Sequence, residues 1–317
     1  MSGVVALAGG VGGAKLAQGL YQVLPPDALT MLVNTADDFT LHGLRICPDL
    51  DTVLYTLAGR ANAQTGWGLA GDTFATLAML TRYGAEGTWF QIGDADFATH
   101  LIRTQRLAAG APLSAVMATL AQALDVRAHL LPMCETPVAT MVDTPAGLLP
   151  FQEYFVQRHH SDVVHDLAFT GIEAAQPPAA LAGRLQTARA VVFCPSNPLV
   201  SIGPILAVPG LRAAIQACPA PRVAVSPIVG GKALRGPADQ MLAGLGHEVS
   251  AYGVARLYAG LIDGLVIDTA DAALAGRIGA LGLAVEVAPT VMRQDADRRA
   301  LAETVLAFAA RLPRPAA

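Results

Sequence analysis

Val4-Val5-Ala6-Leu7-Ala8-Gly9-Gly10-Val11-Gly12-Gly13-Ala14-Lys15-Leu16 is an apolar run, a glycine turn and the opening of a helical pattern in immediate succession. The run reads as a buried strand, and a glycine turn between strand and helix is built to hold a phosphate. Glycines at positions 9, 10, 12 and 13 let the backbone take positive φ and approach a ligand, while the N–H groups that open the helix present partial positive charge. Lys15 adds a full charge nearby. The turn matches neither common fingerprint. A P-loop needs Gly-Lys followed by Ser or Thr, whereas Ala14 precedes Lys15 and Leu16 follows it. The dinucleotide spacing starts at Gly10-x-Gly12, but its third glycine falls on Lys15. Taken alone, the turn is either a phosphate cradle or a tight strand-to-helix connection without a ligand.

Composition narrows the classes. With 317 residues, 53% of them hydrophobic, the chain has ample core for one large α/β domain or two smaller ones. A net charge of −4, from 21 Lys and Arg against 25 Asp and Glu, argues against a nucleic-acid surface, which requires clustered basic residues. Cys47, Cys134, Cys194 and Cys218 are scattered without a C-x-x-C pair, so neither a zinc site nor a disulfide framework is expected. The mean hydropathy of +0.45 reflects abundant alanine, and charged residues interrupt every stretch approaching the roughly 20 apolar residues of a membrane span. No basic segment precedes the first apolar run and no cleavage site follows it. The expectation is a cytoplasmic enzyme with no membrane anchor.

Strand and helix patterns alternate along the chain, which favours a mostly parallel sheet. Leu16, Leu20, Val23 and Leu24 share one face of the first helix, and Pro25-Pro26 stops it. The strand Leu29 to Val33 runs into Asn34-Thr35-Ala36-Asp37-Asp38, placing two carboxylates just past its C-terminal end, the edge where open parallel sheets bind ligands. Leu50, Val53, Leu54 and Leu57 imply another helix, with Asp49 as its cap and Gly59 as its stop. The middle of the chain differs: Trp89 to Ile92, a turn at Gly93-Asp94-Ala95-Asp96, and helical patterns through Ile102 and from Pro112 to Leu124. Strand-like segments follow at His129 to Leu131 and Val138 to Val142. The core pattern resumes at Ala190 to Phe193 and again at Arg222 to Val225, and Pro313 to Ala317 reads as a loose tail.

The fold expected is therefore Rossmann-like α/β, a mostly parallel sheet with helices on both faces. It is a single unit over residues 1–317, with a nucleotide-binding core at 1–60 and 185–317 and a smaller α/β cap at 61–184. Three polar loops end three separated strands: the glycine turn, Pro195 to Gly203, and Ser226 to Gly231. Converging on one sheet edge, they offer a loop each to base, ribose and diphosphate. Ser196-Asn197-Pro198 on its own is an ordinary turn sequence.

Several blocks carry a family resemblance. Gly9-Gly10-Val11-Gly12-Gly13-Ala14-Lys15-Leu16, Asn34-Thr35-Ala36-Asp37-Asp38, and His42 through Pro48-Asp49-Leu50-Asp51-Thr52 to Tyr55 resemble the 2-phospho-L-lactate transferase family of coenzyme F(420) biosynthesis. So do Gly93-Asp94 with Ala98-Thr99-His100, Leu131-Pro132-Met133, Phe151-Gln152-Glu153, Pro195-Ser196-Asn197-Pro198 with Ser201-Ile202-Gly203-Pro204-Ile205, and Ser226-Pro227-Ile228-Val229-Gly230-Gly231. The resemblance covers nearly the whole chain. It implies transfer of the phospho-acid part of a guanosine-diphosphate ester to the ribityl hydroxyl of the deazaflavin FO, with release of GMP. The acid is 2-phospholactate, phosphoenolpyruvate or 3-phosphoglycerate. It also implies dependence on magnesium and a homodimer.

Alcohol attack on a diphosphate phosphorus needs charge neutralisation, in-line positioning and a proton acceptor. Magnesium binds through one or two carboxylates while phosphates and water complete its shell, and Asp37 and Asp51 are the ligand candidates. Asp51 is alternatively the proton acceptor or the acceptor contact, with Asp49 and Asp38 as neighbouring alternatives. The glycine turn, Gly10, Gly12 and Gly13 with Lys15, is assigned to the diphosphate. Ser196, Asn197, Ser201 and Gly203 are assigned to phosphate or guanosine, and Ser226, Gly230 and Gly231 to the opposite side. Arg45, ahead of His42, is the residue expected to steady the transferred phosphate. Gln91 is a binding position where some relatives carry a basic residue, and Ala95 stands where many carry arginine. Trp67 and Trp89 are candidates to lie against the deazaflavin, with core burial the expected alternative. His159, His160 and His165 are expected on a surface loop. Two other classes compete: a nucleotide-sugar-binding regulator of the gluconeogenesis-factor type, and an NAD-dependent oxidoreductase, which lacks its glycine spacing.

Overall fold

The structure, a computed structural model, describes residues 3–25 and 27–313; Pro26 and the tail from residue 314 onward lie outside them. Seven strands form the central sheet: β1 Val4–Ala8, β2 Leu29–Val33, β3 His129–Pro132, β4 Ala190–Phe193, β5 Arg222–Val225, β6 Gly264–Ile267 and β7 Ala284–Val287. Their spatial order is β7-β6-β5-β4-β1-β2-β3, and every pairing is parallel. The order reverses between β1 and β4, so a crevice opens beyond their C-terminal ends. In doubly wound sheets this switch point is the ligand site.

Alternation along β1 divides the core. Val4, Ala6 and Ala8 face α1 (Gly10–Val23), α2 (Pro48–Leu57), α4 (Leu113–Ala123) and α5 (Asp295–Arg311), leaving α3 (Asp94–Ala108) above the crevice. Val5 and Leu7 face the opposite layer, which includes the helices Ile202–Ala207 and Ala251–Tyr258. Both faces of the sheet are covered, which is why its strands read as continuous apolar runs rather than alternating ones.

Local signals behave as expected in α1, where Leu16 and Leu20 are fully buried, and at the end of α2, where Gly59 takes φ +67°. The start of α2 differs. Pro48 occupies the first helical position, where its missing N–H costs nothing, so Cys47 is the cap residue and Asp49 lies inside the first turn. Asp49 is thereby released from capping.

In the middle segment, Trp89 to Ile92 forms no strand, and Gly93 to Asp96 is the N-terminal start of α3 rather than a free turn. Residues 139–144 form the centre of a three-stranded antiparallel sheet with Gly147–Pro150 and Asp166–Thr170. β3 instead completes the edge of the central sheet beside β2, so the division at residues 60 and 185 does not follow the sheet.

α1 and α5 pack closely at Gly19, where a Cβ would run into the Arg298 carbonyl oxygen. Intrinsic helix propensity favours alanine over glycine by about 1 kcal/mol, but the backbone contact opposes it. Gly19→Ala is therefore expected to lower the urea midpoint, and an unchanged or higher midpoint would show that the helices separate at no cost.

Candidate active site

A cavity of about 1100 Å³ opens at the switch point, lined by the glycine turn, the Asp37 and Asp49–Thr52 region, and the loops after β4 and β5. The glycines of the turn have different reasons to be there. Gly10 alone takes positive φ, +65°. Gly9, Gly12 and Gly13 allow close approach: Cβ atoms there would meet Ser201, the Pro195 carbonyl and the Ser196 hydroxyl. The β1 and β4 loops are thus pressed together across the crevice. Gly9 N–H donates to Ser196 Oγ (3.1 Å) and Gly10 N–H to Asp49 Oδ1 (2.7 Å). Val11 and Gly12 follow on the cavity wall, in the first turn of α1, where N–H groups have no partner within the helix. Lys15 also lines the cavity; its ammonium donates to the Met292 carbonyl at 2.9 Å, and burial, with Arg298 and Arg235 nearby, lowers its pKa.

Beside the turn, three carboxylates are held where water is scarce. The fully buried Asn34 donates its amide to Asp37 Oδ2 and Asp49 Oδ2, both at 3.0 Å. Burial and the Asp49 charge push the Asp37 carboxyl well above the ordinary range. Burial raises Asp49 to about 6 against the hydrogen bonds from Asn34 and Gly10. It also raises Asp38 to about 7, outweighing the Arg45 guanidinium 3.2 Å away. Asp37 Oδ1 is buried with no hydrogen-bond partner among the described residues.

Asp51 is arranged differently. Arg103, fully buried on α3, donates Nη1 to Asp51 Oδ2 at 3.0 Å and Nη2 to Asp51 Oδ1, a two-point pair. His100 stands between two carboxylates, with Nδ1 3.6 Å from Asp51 and Nε2 3.4 Å from Asp96, which also accepts from the Tyr55 hydroxyl at 2.6 Å. Asp51, Asp96 and His100 bring ligand-type atoms within 4.8 Å of one another, a spacing suited to a metal. The Arg103 guanidinium already neutralises Asp51, so the cluster is better described as an ion-paired hydrogen-bond network.

Of the residues expected from sequence, Gly10, Gly12, Lys15, Asp37, Asp51, Gln91, Ser196, Asn197, Ser201 and Ser226 line the cavity. Others do not. Arg45 is turned to Asp38, Gly13 and Gly203 pack beneath the loops, and Gly230 and Gly231 form a hairpin tip with φ +57° and +76°. Gly230 N–H is taken by Asp271, and Ser226 Oγ closes a local turn with Ile228. Trp67 and Trp89 stand on the cavity wall rather than in the core. His159 and His160 line the cavity too, while His165 is exposed as expected. Arg103, Asp96 and Tyr55 join the site without a role expected from the sequence. Asp96, His100 and Arg103 recur at helical offsets of four and three, a pattern that puts all three on one face.

The family described as 2-phospho-L-lactate transferase CofD matches residues 4–289. The chain belongs to that family. It is 44% identical over 311 residues to a phosphoenolpyruvate transferase of Streptomyces griseus, covering 96% of this chain and 98% of the relative. It is 44% identical to one of Streptomyces coelicolor (91% and 92% covered) and 40% identical to one of Mycobacterium tuberculosis (96% and 97% covered). A crystal structure of an UPF0052-family protein from Bacillus halodurans superposes with a TM-score of 0.67 at 15% identity, covering 96% of this chain and 98% of that one. That likeness shows a shared fold. The protein is thus a transferase of coenzyme F(420) biosynthesis, and no helix among its described residues is long and apolar enough to cross a membrane.

The buried charges of the transferase set its response to pH and to substitution. A carboxyl whose folded pKa is raised stabilises the protein below its unfolded pKa, and that contribution is lost as pH rises through the folded value. The metal-free protein should therefore lose stability between about pH 4 and pH 7, the window of Asp49 and Asp38. Asp37→Asn keeps an oxygen for Asn34 and removes the repulsion with Asp49. Its Tm should exceed that of the wild type near pH 8, with the gap closing near pH 5; a variant less stable at the higher pH would contradict this. Arg103→Leu strands the Asp51 charge and should cost about 3–5 kcal/mol in urea unfolding. The Arg103→Leu/Asp51→Asn double variant should lose less than the sum of its parts.

Proposed function

We propose that the chain transfers a phosphoenolpyruvyl group from a guanosine-diphosphate-activated donor to the terminal ribityl hydroxyl of FO, releasing GMP. The observation that carries this reading is the pairing, in one cavity, of a nucleotide-type glycine turn with Asp51 held in an ion-paired network. The phosphoenolpyruvyl choice follows the names of relatives that match over nearly the full length of both chains.

In this reading the diphosphate meets the N–H groups at the start of α1, with Lys15 and Ser196 beside it. The FO hydroxyl lies against Asp51. Its oxygen bonds to the phosphorus of the phospho-acid as the bond from that phosphorus to the bridging oxygen breaks, and GMP departs with the electron pair. Asp51 Oδ2 accepts the hydroxyl proton. Arg103 holds the carboxylate in position, and His100 and Asp96 support it from behind.

A divalent cation, magnesium, fits this donor set. Asp37 and Asp49 converge on one amide with an oxygen of Asp37 unpartnered, and hard oxygen ligands suit magnesium. Asp51, named with Asp37 as a ligand from the sequence, has its charge offset by Arg103, so Asp49, which shares the Asn34 amide with Asp37, is the second ligand in this reading. The ion supplies charge neutralisation on the diphosphate oxygens. A homodimer remains part of this reading, by family resemblance.

The test is incubation with FO, magnesium and each of the three guanosine-diphosphate donors, followed by detection of GMP and the phosphodiester-linked deazaflavin. The phosphoenolpyruvyl donor should give the fastest turnover, and absence of product with every donor would overturn the reading. Asp51→Asn should lower kcat by about 10²- to 10⁴-fold, the usual size of a lost general base, with a CD spectrum like that of the wild type.

A further inference from the structure

Residues 60–70 leave the C-terminal end of α2 as an irregular hairpin held mostly by its own hydrogen bonds. Ala61 and Leu69 form an antiparallel bridge, Asn62 N–H donates to the Gly68 carbonyl at 3.0 Å, and Ala70 N–H donates to the Arg60 carbonyl at 2.8 Å. Asn62 closes the tip. Its backbone carbonyl accepts from Gly66 N–H at 2.8 Å and its side-chain oxygen from Gln64 N–H at 2.9 Å. Thr65, Trp67 and Gly68 line the cavity, whereas Asn62 stands outside it. Trp67 keeps 43% of its surface exposed, which puts the indole at the lip of the cavity rather than within it.

Among the described residues, the tip at 62–68 is hydrogen-bonded to the rest of the chain through Arg235 alone. From the loop after β5, the Arg235 guanidinium donates to the Gln64 carbonyl at 3.0 Å and to the Thr65 carbonyl. Gly66, at φ +80°, lies on Val11 of the glycine turn, so close that a Cβ would meet the valine methyls. The stems end on the two helices that carry the Asp51 network. Arg60 and Ala61 N–H both donate to the Tyr55 carbonyl on α2, at 2.8 and 3.1 Å. Asp72, just past the other stem, accepts from Ala95 and Asp96 N–H at the start of α3, at 2.8 and 3.0 Å.

A diphosphate phosphorus is open to water as well as to an alcohol, so transfer requires that water be kept from the donor. We propose that the 60–70 hairpin is a gate over the cavity and that Arg235 is the positioning residue that latches it. The proposal rests on the transferase reading above. With the gate latched, the FO oxygen bonds to the phosphorus. With it loose, a water oxygen bonds there instead and a water proton passes to Asp51 Oδ2. The bond from phosphorus to the bridging oxygen breaks, GMP leaves with the electron pair, and the other product is free phosphoenolpyruvate.

The experiment incubates the full chain, Arg235→Ala and Asn62→Ala with magnesium, FO and the phosphoenolpyruvyl guanosine-diphosphate donor. GMP, phosphodiester-linked deazaflavin and free phosphoenolpyruvate are quantified together. The wild type should form GMP and the deazaflavin product in equal amounts. In both variants GMP should exceed that product several-fold, the excess matched by free phosphoenolpyruvate, and Arg235→Lys should restore most of the coupling. Asn62→Ala loosens the tip from outside the cavity, which separates latching from any contact between Arg235 and the donor. Hydrogen exchange of the Asn62 and Gly66 amides should be about ten-fold faster in Arg235→Ala, with the β1 amides unchanged. Equal GMP and deazaflavin product in both variants overturns the gate, as does unchanged exchange at the tip. So does a fall in GMP release in Arg235→Ala while Asn62→Ala behaves as wild type, the result expected of a donor contact. A wild-type protein that releases no GMP would instead overturn the transferase reading itself.

Discussion

Asn34 holds two buried carboxylates within reach of one amide, and the rest of the site is arranged around that contact. Its side chain, at the C-terminal end of β2, donates to Asp37 on its own loop and to Asp49 in the first turn of α2. Asp49 in turn accepts from Gly10 at the start of α1. Three segments that follow different strands or enter different helices are thereby tied together above the switch point. The cost is two like charges in a dry place, visible in the raised pKa of each. Such an arrangement is poor for stability and good for binding a cation, the usual relation between a strained site and its function.

The sheet explains why this cluster meets the glycine turn at all. Reversal of strand order between β1 and β4 leaves their C-terminal loops side by side with no helix between them. The small residues at Gly9, Gly12 and Gly13 then let Ser196, Ser201 and Pro195 come within contact distance. Any side chain at these glycines would push the β1 and β4 loops apart and widen the crevice between them.

Charge is handled in two ways within one cavity. Asp37 and Asp49 face each other without a basic partner among the described residues, whereas Asp51 is neutralised by a guanidinium that is itself wholly enclosed. Burying an ion pair of this kind contributes little to stability by itself, while removing one partner is expensive. The network around Asp51 is therefore best understood as a device for holding one carboxylate in one orientation.

Much of this was legible in order along the chain. The strand, turn and helix at the start, the amphipathic stripes of α1 and α2, the parallel sheet and the acidic blocks behind β2 and in α2 are carried by local patterns of apolar, glycine and acidic residues. What each acidic residue does was not legible, because it depends on partners distant in sequence: Asp49 on Gly10, Asp51 on Arg103, and Arg45 turned aside to Asp38. The same holds for His160, polar by type and neighbourhood, whose ring is drawn to the cavity by Phe155 and Gln240. The sequence by itself determined the fold class, the family and the small set of carboxylates available for the chemistry, since backbone preference and apolar spacing act locally. Only the tertiary structure decided which carboxylate is paired with a guanidinium, which are buried beside one another without one, and which rings face the cavity, since burial and pairing arise only when distant segments come together.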